Sequence, residues 1–483
     1  MTGSFGSTSA DKKLETEMSA GRILNEKKTD WKSMWICIFL QFIVGIQISV
    51  YYMSMWPYLS GLDKTADVDF LGWVVASCSI GCTISNPIYG YWNQKTMSVK
   101  WPVITGFLIA GVGQAWYGLL GMGSNVKWVM LVARMLTGLG VGNIAALRVY
   151  AAMASTPEDR MRAISFGTGG FVLGISFGPV ISAAFTPLGT DGLKLGVIVF
   201  NMYTVVAFLM ALLCLFACTV IYFLFEESYV GIVTKEEKAN EDLVVPMFDI
   251  PGAIICIYLF MIVNIIATNI EVMSTPLTTV LYDWKDSDSI LYNGITLAIS
   301  CVISVAFNVA LGATRIGKID KRNQMLIGIF VFLLYQLFMY PWAFYSGPLN
   351  FLPEGVETSH AGGCYAEYLW CNETTRVPLS VYLFCFIVLF GIAFPFVQSP
   401  SAALYSEILG PRKQGTMQGF FSLGGSIAPV IASITSTAMF KYTGYRYVIV
   451  LQAIILLVGA ALIVLFYKHL VPLKVVKKSA DEK

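Results

Sequence analysis

Apolar residues run along this chain in blocks of about 18 or more, cut by short charged or turn-forming stretches. Each block is long enough to cross a hydrocarbon layer as a helix. In the first half the blocks lie near Met34 to Met53, Phe70 to Trp92, Val103 to Met122, Trp128 to Met153, Ile164 to Thr186 and Val197 to Phe225. The second half repeats the layout from Gly252 to Ile270, Ile290 to Ala313, Gln324 to Tyr345, Leu379 to Pro400, Met417 to Phe440 and Tyr447 to Tyr467. The pattern predicts an all-α membrane protein of about twelve transmembrane helices. Its expected divisions are an amino-terminal tail (1–32), a six-helix half (33–225), a charged linker (226–249), a second six-helix half (250–467) with a long loop at 346–377, and a carboxyl-terminal tail (468–483). A polar stretch with Glu15, Glu17, Lys27 and Lys28 precedes the first block, which therefore reads as a retained anchor rather than a cleavable signal.

Composition strengthens this reading: 56% of the residues are hydrophobic and only 13% charged, too few to give a water-soluble chain of this length its polar skin. The net charge of +2 supplies no basic surface for nucleic acid. Lysine and arginine are unevenly placed, with about 23 on the side of the termini and about 7 on the other, so the positive-inside rule puts both termini in the cytosol. Lys95, Lys100, Arg160, Arg162, Arg315, Lys318, Lys321, Arg322, Arg412 and Lys413 belong to the cytosolic set, while Asp63, Asp67, Asp69, Asp283, Asp286 and Asp288 make the opposite side acidic.

The loop after Tyr345 tests that orientation. Asn372-Glu373-Thr374 is an N-glycosylation acceptor, and it falls on the side the charges call lumenal. Cys364 and Cys371 share the loop, and a thiol pair in an oxidising lumen is expected to bridge. Cys78 with Cys82, and Cys214 with Cys218, have helical i, i+4 spacing but no histidine or acidic neighbour, so they read as packing residues and no metal site is expected.

The halves resemble one another. Met53-Ser54 and Pro57 precede Gly72 as Met273-Ser274 and Pro276 precede Gly294; Gly90 and Gly312 then follow at equal spacing, each opening a short basic loop. Tyr150, Pro157 and Pro179-Val180-Ile181 correspond in the same way to Tyr405, Pro411 and Pro429-Val430-Ile431. Two such halves imply a central cavity near the bilayer midplane and a solute carried by their rocking.

Ionisable residues inside the spans are the best pointers to that path, because arginine at the centre of a lipid-facing helix costs about 2.5 to 3.5 kcal/mol. Arg134 lies inside the fourth span ahead of the small-residue stripe Gly138, Gly140 and Gly142. Arg148 follows about four turns later on nearly the same face, and together they present positive charge to an anion. The competing readings are an Arg134 paired within the bundle and an Arg148 snorkelling to the surface. Glu271, ahead of Pro276, is the candidate proton carrier, its alternative a solvated carboxylate at the lumenal mouth. Asn93, Glu226, Glu227 and Glu407 read as interface or gate residues, and Trp56, Pro57, Tyr58 and Trp73 as an aromatic boundary belt. Histidine occurs only at His360 and His469, outside the spans, and no nucleophile-and-base spacing or phosphate-cradling loop appears, which argues against an enzyme and an ATP-driven pump. The expected partners are the lipid bilayer and a small-molecule or anionic substrate, without cofactor; the pattern sets no oligomeric state.

Gly90, Asn93 and Lys95 resemble the glycine, acidic and basic loop motif between the second and third spans of the major facilitator superfamily, with Gly312, Arg315 and Lys318 as a second copy. Arg134, Gly138, Gly140 and Gly142 are similar to its fourth-span arginine-glycine motif, and Gly174 with Gly178-Pro179 to its fifth-span glycine-proline motif. The aspartate usual in the first loop is Asn93 here, and no second glycine pair follows Pro179, departures that weaken the case for strict antiport. A narrower resemblance, to an endolysosomal branch of the superfamily, rests on the runs Met53 to Leu59, Thr65 to Ser77, Ala133 to Asn143, Thr275 to Thr278, Leu291 to Ile295 and Leu404 to Gln414. It implies a lysosomal or late-endosomal membrane protein, with chloride conduction among the activities attributed to that branch. Ile23-Leu24 forms an imperfect dileucine sorting signal with Ser19 at its acidic position, and Tyr229 to Ile232 has the tyrosine-based pattern but lies close to the membrane. A coupled carrier, a chloride-conducting channel on a transporter fold and a non-transporting scaffold are the three classes the chain allows.

Overall fold

The computed structural model describes residues 27–51, 54–63, 68–122, 125–190, 192–195, 198–233, 243–347, 349–352, 362–364 and 368–477. Glu15, Glu17, the Ile23-Leu24 signal, Met53, Asp67 and His360 lie outside the described residues.

The amino-terminal half consists of α1 (Trp31–Ser49), the short α2 (Met55–Leu62), α3 (Val68–Thr96), α4 (Lys100–Gly118), α5 (Val126–Val141), α6 (Ile144–Met153), α7 (Arg160–Ala184) and α8 (Thr204–Leu224). The carboxyl-terminal half consists of α9 (Ile250–Tyr282), α10 (Asp286–Ala313), α11 (Lys321–Met339), α12 (Leu379–Phe384), α13 (Phe390–Leu409), α14 (Gly415–Thr443) and α15 (Tyr445–Leu465). Helices α5 and α6 form one span, as do α12 and α13, so each half has six. Among the described residues, 10 helical segments are long and apolar enough to cross a membrane. The less apolar α3 and α4 occupy the second and third positions.

Local chemistry explains where the helices begin. Asp30, Asp249 and Asp320 are N-caps whose carboxylates accept from the backbone N–H of Lys32, Gly252 and Arg322, satisfying donors that a first turn leaves open. All three caps lie on the face that holds the chain ends. The linker strand β3 (Leu243–Val244) pairs there antiparallel with β4 (Val476–Lys477) of the tail, β1 (Leu193–Leu195) and β2 (Ile198–Phe200) being a hairpin ahead of α8, and His469 Nδ1 lies 2.6 Å from Asp249. We call this the terminal face and the other the loop face.

Several boundaries differ from the hydropathy pattern: the sixth span begins at Thr204 rather than Val197, since Ile198–Phe200 pairs as a strand with Leu193–Leu195, and the ninth ends at Met339 rather than Tyr345. The seventh span runs on to Tyr282 rather than ending at Ile270, with Pro276 inside the helix. The fourth span tightens by one turn at Gly142 and Asn143, where Asn143 N donates to the Gly140 carbonyl (3.1 Å). In the tenth span Cys385–Leu389 forms one π-helical turn.

Each half buries its own core, around Cys37, Phe107, Tyr150 and Cys214 in the first and Leu259, Phe332, Phe386 and Tyr405 in the second. Large apolar side chains such as Leu212, Phe223, Ile254, Phe330 and Leu465 point outward, as lipid requires. The halves meet along two seams, α3 against α14 and α7 against α10. These are equivalent pairs under the internal repeat, the second span of one half on the fifth of the other.

The long loop is tied down at its base. Cys364 and Cys371 are disulfide-bonded and fully buried, and Arg376 pairs with Asp283 at 3.0 Å.

Candidate functional site

Close approach along the seams depends on glycine. A Cβ on Gly90 would come 2.5 Å from the Gly415 carbonyl and 2.8 Å from the Gly419 Cα, so α3 and α14 touch backbone to backbone at the terminal face. Beside this contact Asn86 Nδ2 donates to the Ser422 carbonyl (3.2 Å) and to Ser426 Oγ (2.5 Å). On the other seam Gly312 faces the Phe166 ring and Gly169 the Asn308 side chain, while Asn308 accepts a hydrogen bond of 2.7 Å from Ser399 of α13.

Next to these seams, lined by both halves, is a small cavity of about 20 Å³. Its polar wall is Gln41 of α1, Arg148 of α6, Thr168 of α7, Gln398 of α13 and Gln418 of α14; Phe260 of α9 and Phe421 of α14 close it. Arg148 is the one charged side chain among the lining residues. Its guanidinium sits 5.1 Å from the Phe260 ring centre and its Nη1 lies 3.5 Å from Ser422 Oγ. A fixed positive charge, three amides and a hydroxyl converge there without a lining carboxylate. Such a set can desolvate and hold an anion.

Arg134 is placed differently. It is 2% exposed inside the amino-terminal half, its guanidinium 5.2 Å from the Tyr51 ring centre, and the Tyr51 hydroxyl donates to Gln114 Oε1 at 2.5 Å. Tyr117 packs on Tyr51 with ring centres 4.3 Å apart, and Tyr58 lies against both Tyr117 and Tyr203. Tyr58, expected in an exposed aromatic belt, is thus a core residue of this tyrosine cluster, whereas Trp73 is 61% exposed. The structure does not bring Arg134 and Arg148 to one cavity: about four turns of helix, roughly 20 Å of rise, separate them, and only Arg148 lines the space between the halves.

The remaining motif residues serve packing. Gly138 abuts the Cys78 carbonyl, Gly142 the Ser85 hydroxyl, and Gly178 Ser49 and Val50, so helices α3, α5, α7 and α1 cross where no side chain intervenes. Pro179 lies inside α7, one turn after Gly174 reaches the α1 backbone. Asn93 is fully buried and donates to the Ser98 carbonyl at 3.1 Å, bridging the short loop into α4. Arg315 is exposed in a 3-10 turn after α10. Glu271 is half-buried on α9 and does not line the cavity; Ser274 bonds to its backbone carbonyl. Glu407 pairs with Lys321 at 3.1 Å on the terminal face.

Sequence reasoning missed the amides. Gln41, Gln398 and Gln418 carry no charge to mark them, although a glutamine in an apolar span is itself a signal. The linker was also underread. The Glu227 carboxylate accepts from Ser98 Oγ (2.8 Å), Val99 N (3.0 Å) and Lys100 N (2.6 Å), capping α4, and further along Gly231 N donates to the Met153 carbonyl (2.9 Å) and Val233 N to that of Pro411 (3.2 Å). The segment 226–233 therefore straps one half to the other. Tyr229 donates to Glu227 and Ile232 is buried, so the tyrosine-based motif is part of the strap.

Two six-helix halves around a central cavity define a membrane transporter fold, and the chain belongs to the Major Facilitator Superfamily, whose sequence pattern matches residues 37–354 and 362–483. It is similar to major facilitator superfamily domain-containing protein 8 of Xenopus laevis, with 28% identity over 479 residues and 92% of each chain covered. Among solved structures it resembles the human organic anion transporter MFSD10 (14% identity, 91% of this chain and 98% of that one, TM-score 0.60). It also resembles the proton:xylose symporter XylE bound to 6-bromo-6-deoxy-D-glucose (16% identity, 92% and 96%, TM-score 0.65).

Proposed function

We propose that this transporter moves a small anion, chloride being the simplest, through the cavity between its halves. The observation that carries the reading is Arg148: the one charge lining that cavity is positive and the groups around it are neutral amides, a hydroxyl and two aromatic rings. An anion placed there gains a charge-assisted hydrogen bond in a water-poor site, while a cation is repelled by the guanidinium with no carboxylate to offset it. The likeness to an organic anion transporter agrees with the sign of the charge. Rocking of the halves about the two glycine-rich seams supplies access from either side, and Glu271, on the span that also bears Phe260, is the candidate proton-exchanging group.

The orientation proposed puts the terminal face in the cytosol and the loop face, with Asn372, in the lumen of a lysosome or late endosome. The lysine and arginine bias supports the orientation, and the narrow sequence resemblance supports the compartment. Protease protection of tags on both tails, read together with a lysosomal marker in cells, tests both.

Purified protein in sealed liposomes tests the transport reading directly. Chloride flux under an imposed voltage is expected to fall at least about tenfold in Arg148→Gln and partly to recover in Arg148→Lys. Wild-type flux in Arg148→Gln overturns the proposal. Flux that requires a proton gradient and is lost in Glu271→Gln marks a coupled carrier, whereas flux that simply follows voltage marks a channel.

A further inference from the structure

We infer that the seam between α7 and α10 binds, at the terminal face, the headgroup of an anionic phospholipid from the surrounding leaflet, one that carries a phosphomonoester beyond its diester as a phosphoinositide does. The two helices, one from each half, meet where Gly312 lies against the Phe166 ring: a Cβ on Gly312 would come 2.6 Å from Phe166 Cε1. One turn from that contact toward the terminal face, α7 carries Arg162. One turn beyond Gly312 in the same direction lies Arg315, at the start of the 3-10 turn Arg315–Lys318. Two arginines from different halves therefore flank one spot on the seam.

Aromatic rings place this spot at the membrane boundary. The Arg162 guanidinium lies 4.5 Å from the Trp31 ring centre and 5.5 Å from that of Phe166, and Trp35 stacks on Phe166 with ring centres 5.7 Å apart. Trp35 is 54% exposed, and Phe39, one turn deeper on α1, also points outward, so lipid reaches the edge of the seam. The 3-10 turn is held in place from its own side. Thr314 Oγ1 accepts from Ile316 N (3.2 Å), and Gln324 Nε2 donates to the carbonyls of Ile316 (3.1 Å) and Ile319 (2.8 Å).

The charges at this spot are uncommitted. Arg162, Arg315 and Lys318 are exposed, and among the described residues none of their side chains donates to a carboxylate or a carbonyl. The acids of the adjoining segments do not pair with them: Asp159, which precedes α7, makes no ion pair with Arg162, Asp30 caps α1, and Asp320 caps α11 and pairs with Arg322. Other cations of the terminal face are already engaged, Lys100 with the Tyr222 carbonyl (2.7 Å), Lys321 with Glu407 and Arg412 with the Pro246 carbonyl. Three positive charges without an acid, at a crevice between spans on the lipid boundary, suit a phosphorylated lipid headgroup. Its diester fits at Arg162, level with the tryptophans, and its phosphomonoester reaches Arg315 and Lys318 on the turn. A ligand that touches both halves in this way holds the seam closed at the terminal face.

The full chain, purified in an uncharged detergent, is titrated with dioctanoyl phosphatidylinositol 4-phosphate while its thermal unfolding is followed. Dioctanoyl phosphatidylcholine is the zwitterionic control, and inositol 1,4-bisphosphate presents the same headgroup without acyl chains. The phosphoinositide is expected to raise the unfolding temperature and to saturate, phosphatidylcholine to leave it unchanged, and inositol bisphosphate to need at least about tenfold more ligand for the same shift. Arg162→Gln and Arg315→Gln, one in each half, should each weaken the apparent affinity at least about fivefold, each variant being compared with its own lipid-free unfolding temperature. Arg315→Lys should keep most of the affinity. Lys100→Gln, which removes a cation of the same face away from the seam, should leave it as in the wild type. Absence of a shift in the wild type, an equal response to inositol bisphosphate, wild-type affinity in either seam variant, or an equal loss in Lys100→Gln overturns the inference.

Discussion

The guanidinium of Arg148, on the fourth span of one half, lies 5.1 Å from the ring centre of Phe260, on the first span of the other. Rocking the halves apart must separate this pair. The residue proposed for the solute path is therefore also part of the contact that transport has to break and remake.

Arg134 and Arg148 should consequently fail in different ways. Arg134→Gln breaks a buried arrangement inside one half, and the expected loss of stability is about 3 kcal/mol. It should show as a lower unfolding temperature and reduced yield, with flux per folded molecule less affected than in Arg148→Gln. Unchanged stability together with abolished flux would move Arg134 into the solute path.

Gly90 sets how closely the terminal face can shut. A leucine there meets the backbone of Gly415 and Gly419, which cannot yield as a flexible side chain can. Gly90→Leu should hold the halves apart at the terminal face. A cysteine introduced at Ser422, fully buried in the wild type, is expected to react with an aqueous maleimide faster in that background than in the wild type.

The Glu227 strap can be removed without touching either seam. Glu227→Ala takes the cap from α4 and is expected to cost about 1 kcal/mol. Because the same segment reaches Pro411 in the other half, proteolysis of the linker at the terminal face should accelerate as well.

Asp320 gives a pH signature. Hydrogen bonding to Arg322, outweighing partial burial, holds its carboxyl below the ordinary carboxylate range. A carboxyl lowered in the folded state contributes stability that is present above about pH 4 and lost as pH falls through the depressed native value. Asp320→Ala should therefore lower the unfolding temperature at neutral pH, and the difference from wild type should shrink in strong acid. The effect is small because the pair is partly exposed.

Asn372 is exposed beside the buried Cys371, and Thr374 Oγ1 donates to the Trp370 carbonyl at 2.7 Å, which fixes the turn. In a glycosylating cell line the chain should migrate as a glycoprotein and Asn372→Gln should remove that shift. A glycan that persists places this loop or the modified site elsewhere.

The amino-acid sequence by itself determined the class of fold. Apolar blocks long enough to span hydrocarbon leave the backbone only helical hydrogen bonding, and the repeated spacing from Gly72 to Gly90 and from Gly294 to Gly312 declares two equivalent halves. Helix starts at Asp30, Asp249 and Asp320 are local as well, since a cap needs only its own first turn. Tertiary structure alone decided which polar residues share a cavity. Helical periodicity assigns Arg134 and Arg148 to a similar face, yet at their different depths one is packed inside a half and the other lies between halves. Gln41, Gln398 and Gln418 come together from three spans far apart in the chain, and no pattern within one span records which neighbour its polar face will meet.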